Sequence, residues 1–201
     1  MSRSQHNAEL KRQHIIRVAT KLFLDQGYTL TSMDMIAANS GVTKQTVYRY
    51  YPSKNELFSA VMQEIRQTSA NDAYQFSTGT LEEELFNFGR QLLKFHLQPE
   101  ALGIYRLMIT EGAQNKDLFK SFQNSGPRHF QEPLNQYLDS LRLRLDKTEF
   151  ASSMFINMVL TARNRMLLDQ AYTLNDAEQA IHVQQVVAFF TQAVSSHQNT
   201  N

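Results

Sequence analysis

Five side chains suited to contacting DNA are spaced over two turns between residues 44 and 50. Lys44, Gln45 and Thr46 are consecutive, and Arg49 and Tyr50 follow one turn later. Lysine and arginine match the O6 and N7 acceptors of guanine, glutamine matches adenine, and the threonine methyl group fits a thymine methyl. If the segment is helical, these side chains form one surface that can read base edges.

The surrounding residues 33–51, MDMIAANSGVTKQTVYRYY, have the pattern of a helix-turn-helix. Ala37 is small where the second helix must approach closely, and Gly41 can take the positive φ of a tight turn. Val47 is apolar where the two helices face each other. Thr43 can cap the second helix, whose free amide groups then attract a phosphate.

Other polar side chains near this motif are predicted to contact phosphates. Lys54 begins the next helix and can neutralise a phosphate charge. Tyr48 has two interpretations, since it lies where an aromatic side chain either packs in the core or contacts DNA. The predicted DNA-binding residues are Thr31, Ser32, Thr43, Lys44, Gln45, Thr46, Tyr48, Arg49, Tyr50, Tyr51 and Lys54.

The distribution of charge supports this location. Residues 1–57 contain eight Lys/Arg against four Asp/Glu, whereas residues 58–201 contain twelve against fifteen. A basic N-terminal part on a mildly acidic remainder is typical of a protein that binds nucleic acid at one end.

Composition excludes several kinds of site. The chain has no cysteine, which excludes disulfides, zinc fingers and iron–sulfur ligation. We expect no metal or cofactor. The polar opening, MSRSQHNAELKRQ, does not resemble a signal peptide, and no apolar stretch approaches the length of a membrane span. We therefore expect a cytoplasmic protein without membrane contact.

The helical periodicity of the apolar residues and the capping signals predict an all-α chain of about nine helices. Thr31 with Asp34 is expected to cap the second helix, and Ser53 with Glu56 the fourth. The predicted spans are 7–26, from the Thr31 cap to just before 41, from 43, from 54 to the mid-seventies, 80–98, 99–114, 115–145 with interruptions at Gly126-Pro127 and Pro133, 148–170 with a cap at Asp146, and 176–196.

At this point the sequence resembles a known family. The stretch AELKRQHIIRVATKLFLDQGYTLTSMDMIAANSGVTKQTVYRYYPSKNELFSAVM is similar to the N-terminal domain of TetR-family transcriptional regulators. The shared features are the glycine after helix one, Thr-Ser-hydrophobic, Gly-Val-Thr, and Tyr-x-Tyr-aromatic-x-Ser-Lys, with Tyr51 where the family usually has Phe. The later stretch IYRLMITEGAQNKDLFKSFQNSGPRHF resembles the AefR-like subgroup of C-terminal domains.

The resemblance implies a homodimer that binds a palindromic double-stranded operator, and usually repression relieved by a small molecule. It implies a DNA-binding domain at residues 8–68, with its motif at about 31–50, and a ligand-sensing and dimerisation domain at residues 78–197. The polar segment 69–80 is the expected boundary.

The second domain is expected to hold both an effector pocket and a dimer surface, although at helical spacing all these side chains could simply be core. A small apolar or amphipathic effector suits walls of Phe and Met. The predicted pocket residues are Phe86, Phe95, Tyr105, Met108, Glu111, Met154, Asn157 and Met158, and the predicted dimer residues are Phe155, Val159, Met166, Val186, Phe189 and Phe190.

Two other classes of function have weaker support in the sequence. An enzyme finds little support, because the chain lacks HExxH, GxSxG, GxGxxG and GxxxxGK[ST], and His96 with Glu100 is an ordinary pair of helix neighbours. An interaction module that has kept the helix-turn-helix shape but lost DNA reading is disfavoured by the side chains at positions 44–50. The sequence favours a non-enzymatic DNA-binding regulator.

Overall fold

A computed structural model describes residues 2–70, 74–125, 128–141, 148–169 and 171–198. Over these ranges every regular element is an α-helix, which confirms the predicted all-α class. The described ranges contain eleven helical segments, or ten if α9 and α10, which meet at Leu160, are counted together. The helices are α1 (Arg3–Gln26), α2 (Met33–Asn39), α3 (Lys44–Tyr50), α4 (Lys54–Ala70), α5 (Leu81–His96), α6 (Pro99–Glu111), α7 (Lys116–Ser125), α8 (Arg128–Ser140), α9 (Thr148–Val159), α10 (Thr161–Leu168) and α11 (Asp176–Gln198).

The helix count exceeds the predicted nine for two local reasons. The stretch expected at 115–145 is two helices, α7 and α8, while Pro133 lies inside α8 and does not end it. The helix expected at 148–170 is broken at Leu160, whose ψ is near 0°. The fourth helix, predicted to reach the mid-seventies, is described only to Ala70, and residues 74–77 are not helical, so its predicted end was wrong. The Gly126-Pro127 interruption, the Asp146 cap and the predicted end at 170 lie outside the described residues.

Side-chain caps fix most helix starts. α1 begins at Arg3, earlier than predicted, because Ser2 and Gln5 form a reciprocal capping box. Thr80 with Glu83 does the same for α5. The amide of Glu56 donates to the Ser53 hydroxyl at the start of α4, at 3.1 Å.

The helices form two compact units. The first comprises residues 1–71 and 103–126, and its core contains the rings of Phe23, Tyr28 and Phe58 in mutual contact. Residues 103–126, which the sequence assigns to the domain at 78–197, belong to this unit because side chains such as Leu118 are buried in the same core. Periodicity shows that a helix has an apolar face but not which neighbour covers it.

The second unit comprises residues 72–102 and 127–201. Gly89 allows α5 and α11 to approach closely, since a Cβ at this position would lie 2.7 Å from a methyl group of Val183. The buried carboxylate of Glu84 accepts hydrogen bonds from the Tyr74 hydroxyl at 2.8 Å and the Ser77 amide at 3.0 Å. These bonds hold the segment before α5 against the helix. None of the helices described here has the length and apolar character that crossing a bilayer requires.

Candidate nucleic-acid interface

The turn between α2 and α3 has the geometry that a helix-turn-helix requires. Gly41 has φ of 63°, in the left-handed region that favours glycine. The Gly41 amide donates to the carbonyl of Ala38 and the Val42 amide to that of Ala37, both at 3.2 Å, so the end of α2 is closed by backbone bonds. Ile36 and Val47 are completely buried and hold the two helices together.

The orientation of α3 is set by its cap and its one buried residue. The Thr43 hydroxyl accepts from the Thr46 amide at 3.2 Å, as predicted for an N-cap. Since Val47 faces the core, the residues on either side of it face outward. A surface depression of about 400 Å³ is lined by Gln45, Thr46, Tyr48 and Arg49.

Tyr48 lies on the surface and not in the core. Its side chain is 41% exposed, and the Lys44 ammonium is 5.9 Å from the centre of its ring. This exposure excludes the interpretation of Tyr48 as a side chain packed in the core. Tyr50 is half-buried, and the Arg49 guanidinium lies 5.0 Å from its ring.

Lys44 is paired with Asp34 of α2. Its Nζ lies 2.8 Å from Asp34 Oδ1 and donates to Oδ2 at 3.0 Å. The pKa of Lys44 is raised, first by this hydrogen bond and then by the carboxylate charge. More than half of each side chain is exposed, so water competes for both groups and the pair is readily exchanged.

Thr31 and Tyr51, which the sequence predicts to contact phosphates, lie inside the first unit. Thr31 is 1% exposed and its hydroxyl donates to the carbonyl of Gly27 at 2.7 Å. Tyr51 is 3% exposed, with the Arg12 guanidinium 5.8 Å from its ring. The cap of α2 is Ser32, which is exposed and accepts from the Met35 amide at 3.1 Å, so the prediction of Thr31 as the cap was wrong.

Lys54, which the sequence predicts to contact a phosphate, has partners within its own unit. Its Nζ donates to the carbonyls of Tyr28 at 2.7 Å and Thr31 at 2.9 Å, and lies 4.3 Å from the centre of the Tyr28 ring. Burial lowers the pKa of this ammonium, and the nearby Glu111 carboxylate opposes that shift. Lys54 therefore holds backbone groups of its own unit.

The predicted effector-pocket residues do not all belong to one unit. Within the second unit two of them are exposed and three lie against its core. In the first unit, Tyr105 contacts the ring of Phe122, and Glu111 binds backbone amides. The first-unit residues are Tyr105, Met108 and Glu111, and the second-unit residues are Phe86, Phe95, Met154, Asn157 and Met158.

Most of the predicted dimer residues pack inside the second unit. Four of the six are buried in its core, so within this chain they have the alternative role of core residues. Only one, Phe189, is strongly exposed, at 65%. The buried residues are Phe155, Val159, Val186 and Phe190, and Met166 is half-buried.

Two comparisons with protein families cover most of the chain. Residues 15–61 match the model of bacterial regulatory proteins of the tetR family, and residues 83–193 match the C-terminal domain of AefR-like transcriptional repressors. The chain belongs to the TetR family. Its α2 and α3 are therefore the helix-turn-helix of a DNA-binding transcriptional regulator, and the family resemblance of the sequence is confirmed.

Several regulators are similar to this chain over two thirds or more of their own length. The structure of the flavonoid-responsive regulator FrrA has a TM-score of 0.78 at 29% identity, covering 92% of this chain and 97% of its own. A putative TetR-family regulator from Mesorhizobium loti has a TM-score of 0.75 at 23% identity, covering 96% and 98%. An uncharacterized HTH-type transcriptional regulator from Mycobacterium tuberculosis is 29% identical over 144 residues, 71% of this chain and 67% of its own.

Asp34, which the sequence suggested only as a helix-capping group, lies against Lys44 of the candidate interface. It lies ten positions before Lys44 and on the other side of a turn, a separation that no helical period marks. Once the turn at Gly41 is in place, the two side chains meet.

We expect Asp34→Asn to bind DNA about threefold more tightly than the wild type. The change removes a carboxylate beside the recognition helix and frees Lys44 for a phosphate or a base. Fluorescence anisotropy with a duplex at several salt concentrations measures both the affinity and a steeper salt dependence. Asp25→Asn, which removes an exposed carboxylate of α1 that pairs with no lysine in the described contacts, is the matched control. An equal gain from both variants would show that only net charge matters.

Proposed function

We propose that this chain is a repressor that binds a palindromic operator as a homodimer and is released by a small aromatic effector. The observation that carries the proposal is the surface of α3, where Gln45, Thr46, Tyr48 and Arg49 surround one depression beside a fully buried Val47. A recognition helix fixed by one apolar contact and an N-cap presents its polar side chains in a defined register.

The proposed contacts follow from exposure. Lys44, Gln45 and Thr46 are on the first turn of α3, where side chains reach base edges in the major groove. Arg49 and Tyr48 extend this surface by one turn, with Tyr50 at its border. Ser32 and Thr43, the exposed caps of α2 and α3, are proposed phosphate contacts. Thr31, Tyr51 and Lys54 are proposed to support the motif from inside.

Dimerisation is proposed because one recognition helix covers only a few base pairs, whereas a twofold-symmetric pair reads two half-sites. The second unit offers an apolar surface for it. Phe150 is 63% and Met154 40% exposed on one face of α9, and Ile181 is 55% and Phe189 65% exposed on α11. α9 and α11 pack against each other, so a second copy of the same two helices would form a four-helix interface.

The effector is proposed to be an aromatic molecule with hydroxyl groups. FrrA, whose structure is similar over nearly the whole chain, is described as flavonoid-responsive. In the second unit the imidazole of His96 lies 4.9 Å from the ring of Phe95 and 5.5 Å from that of Phe130. Burial and the charge of Arg163 lower the pKa of His96 to about 3, which leaves the imidazole neutral at physiological pH. A neutral imidazole among aromatic rings suits a polar aromatic ligand.

DNA selection from a random duplex library tests the first part of the proposal. We expect the purified protein to enrich a palindrome and its affinity to fall steeply as salt rises. Gln45→Ala should lose discrimination at one base of each half-site, by about 5- to 100-fold. Gln63→Ala, at an exposed position of α4, should change nothing. Binding that is independent of both sequence and salt would contradict DNA reading.

Phe189→Glu tests the dimer surface. A carboxylate on this face would have to be desolvated in the interface, so we expect a monomer at micromolar concentration in analytical ultracentrifugation. Phe119→Glu, at a phenylalanine of α7 in the first unit that is 45% exposed, should remain dimeric. A dimer that survives Phe189→Glu places the interface elsewhere.

Thermal denaturation and operator binding with a flavonoid probe, naringenin, test the effector. We expect naringenin to raise the melting temperature and to weaken operator binding at least fivefold, since an effector must prefer the low-affinity state. Decanoate, an aliphatic amphiphile, should do neither, and His96→Phe should reduce the response to naringenin. Unchanged operator affinity at saturating naringenin would reject this class of effector.

A further inference from the structure

The loop between α1 and α2, residues 27–32, determines where the helix-turn-helix begins. It starts at Gly27, whose φ is 90°, and ends at the N-cap residue Ser32. α2 has only seven residues, too few to be stable by its own hydrogen bonds. The position of α2 therefore depends on the loop that leads into it.

Glu111, the last residue of α6, binds the amide groups of this loop. One carboxylate oxygen accepts from the Tyr28 amide at 3.0 Å, and the other accepts from the Thr29 amide at 2.7 Å and from the Thr29 hydroxyl at 2.5 Å. Asn115 donates to the same hydroxyl oxygen at 3.2 Å. A carboxylate that accepts three such bonds is a strong anchor for backbone.

Lys54 binds the carbonyl groups of the same loop from α4. Its ammonium donates to the carbonyls of Tyr28 and Thr31 and lies over the Tyr28 ring. An acidic and a basic side chain, 57 positions apart in the sequence, thus hold opposite polar groups of one short loop. We call this arrangement the Glu111–Lys54 clamp.

The space around the carboxylate also fits this role. A Cβ at position 27 would lie 2.3 Å from Glu111 Oε1, so a larger residue there would displace the carboxylate from this position. All the groups of the clamp belong to the first compact unit.

We propose that Glu111 is a positioning residue for operator recognition. It acts by fixing the α1–α2 loop and therefore the start of α2, against which α3 packs. This inference rests on the proposed function, since it concerns the affinity and specificity of the same DNA-binding surface.

The test compares wild type, Glu111→Gln and, as a matched control on the same helix, Glu100→Gln, whose side chain is exposed. In Glu111→Gln one acceptor becomes an NH₂ group that faces amide donors. We expect affinity for the selected operator to fall about tenfold while affinity for random duplex and the salt dependence stay unchanged, because no phosphate contact is lost. Hydrogen exchange at the Tyr28 and Thr29 amides should become at least tenfold faster. Glu100→Gln should behave as wild type.

The outcomes separate the two proposals. If wild type prefers no sequence, the proposed function fails. If wild type is specific and Glu111→Gln retains that specificity, the positioning role is overturned. If Glu111→Gln lowers specific and nonspecific binding equally, it has reduced the folded fraction, and that result also overturns the role.

A milder variant keeps the test decisive if Glu111→Gln does not fold. Thr29→Val removes the hydroxyl that donates to Glu111 and accepts from Asn115, and keeps the backbone amide bonds. We expect an unchanged urea midpoint and about a threefold loss of specific affinity. An unchanged specific affinity in folded Thr29→Val would contradict the proposal.

Discussion

The DNA-binding surface depends on the constraint that two seven-residue helices must be held by contacts outside themselves. A helix this short satisfies few of its own backbone groups, and its stability in water is marginal. The structure compensates with caps at Ser32 and Thr43, with the buried pair Ile36 and Val47, and with a glycine turn whose amides close the end of α2. Every exposed side chain of α3 owes its direction to these few contacts.

Two lysines of this region show how burial decides what a charge does. Lys44 is exposed and pairs with one exposed carboxylate, so its partner can be replaced by a DNA group. Lys54 is surrounded by backbone carbonyls and an aromatic ring, and the loss of water lowers its pKa. Removing its carbonyl partners would leave a desolvated charge, which is costly. Lys44 is therefore suited to exchanging its partner for a DNA group, whereas Lys54 is suited to keeping its partners.

The sequence predicted the local features well because they are set by neighbours in the chain. The glycine turn, the Thr43 cap and the outward position of Gln45 follow from residues a few positions apart. It failed where burial in the folded unit decides. Thr31 and Ser32 are adjacent hydroxyl residues, and in the fold it is Thr31 that points inward, where its hydroxyl donates to the carbonyls of Leu22 and Gly27. Phe189 and Phe190 are likewise adjacent and chemically identical. The tertiary contacts of α11 leave Phe189 exposed and bury Phe190 in the core.

Glu111 lies far from the α1–α2 loop in the sequence, which is why the sequence pattern led to the prediction that it lines a ligand pocket. A polar residue on an apolar helix signals that something polar is near, but the signal does not distinguish a bound molecule from backbone of the same chain. Here the polar partner is the pair of amides at Tyr28 and Thr29. A buried backbone amide needs a hydrogen-bond acceptor just as a polar group of a bound ligand does. For an isolated acidic residue on an apolar helix, the first candidate partners are therefore unpaired amides in nearby turns, and a ligand comes second.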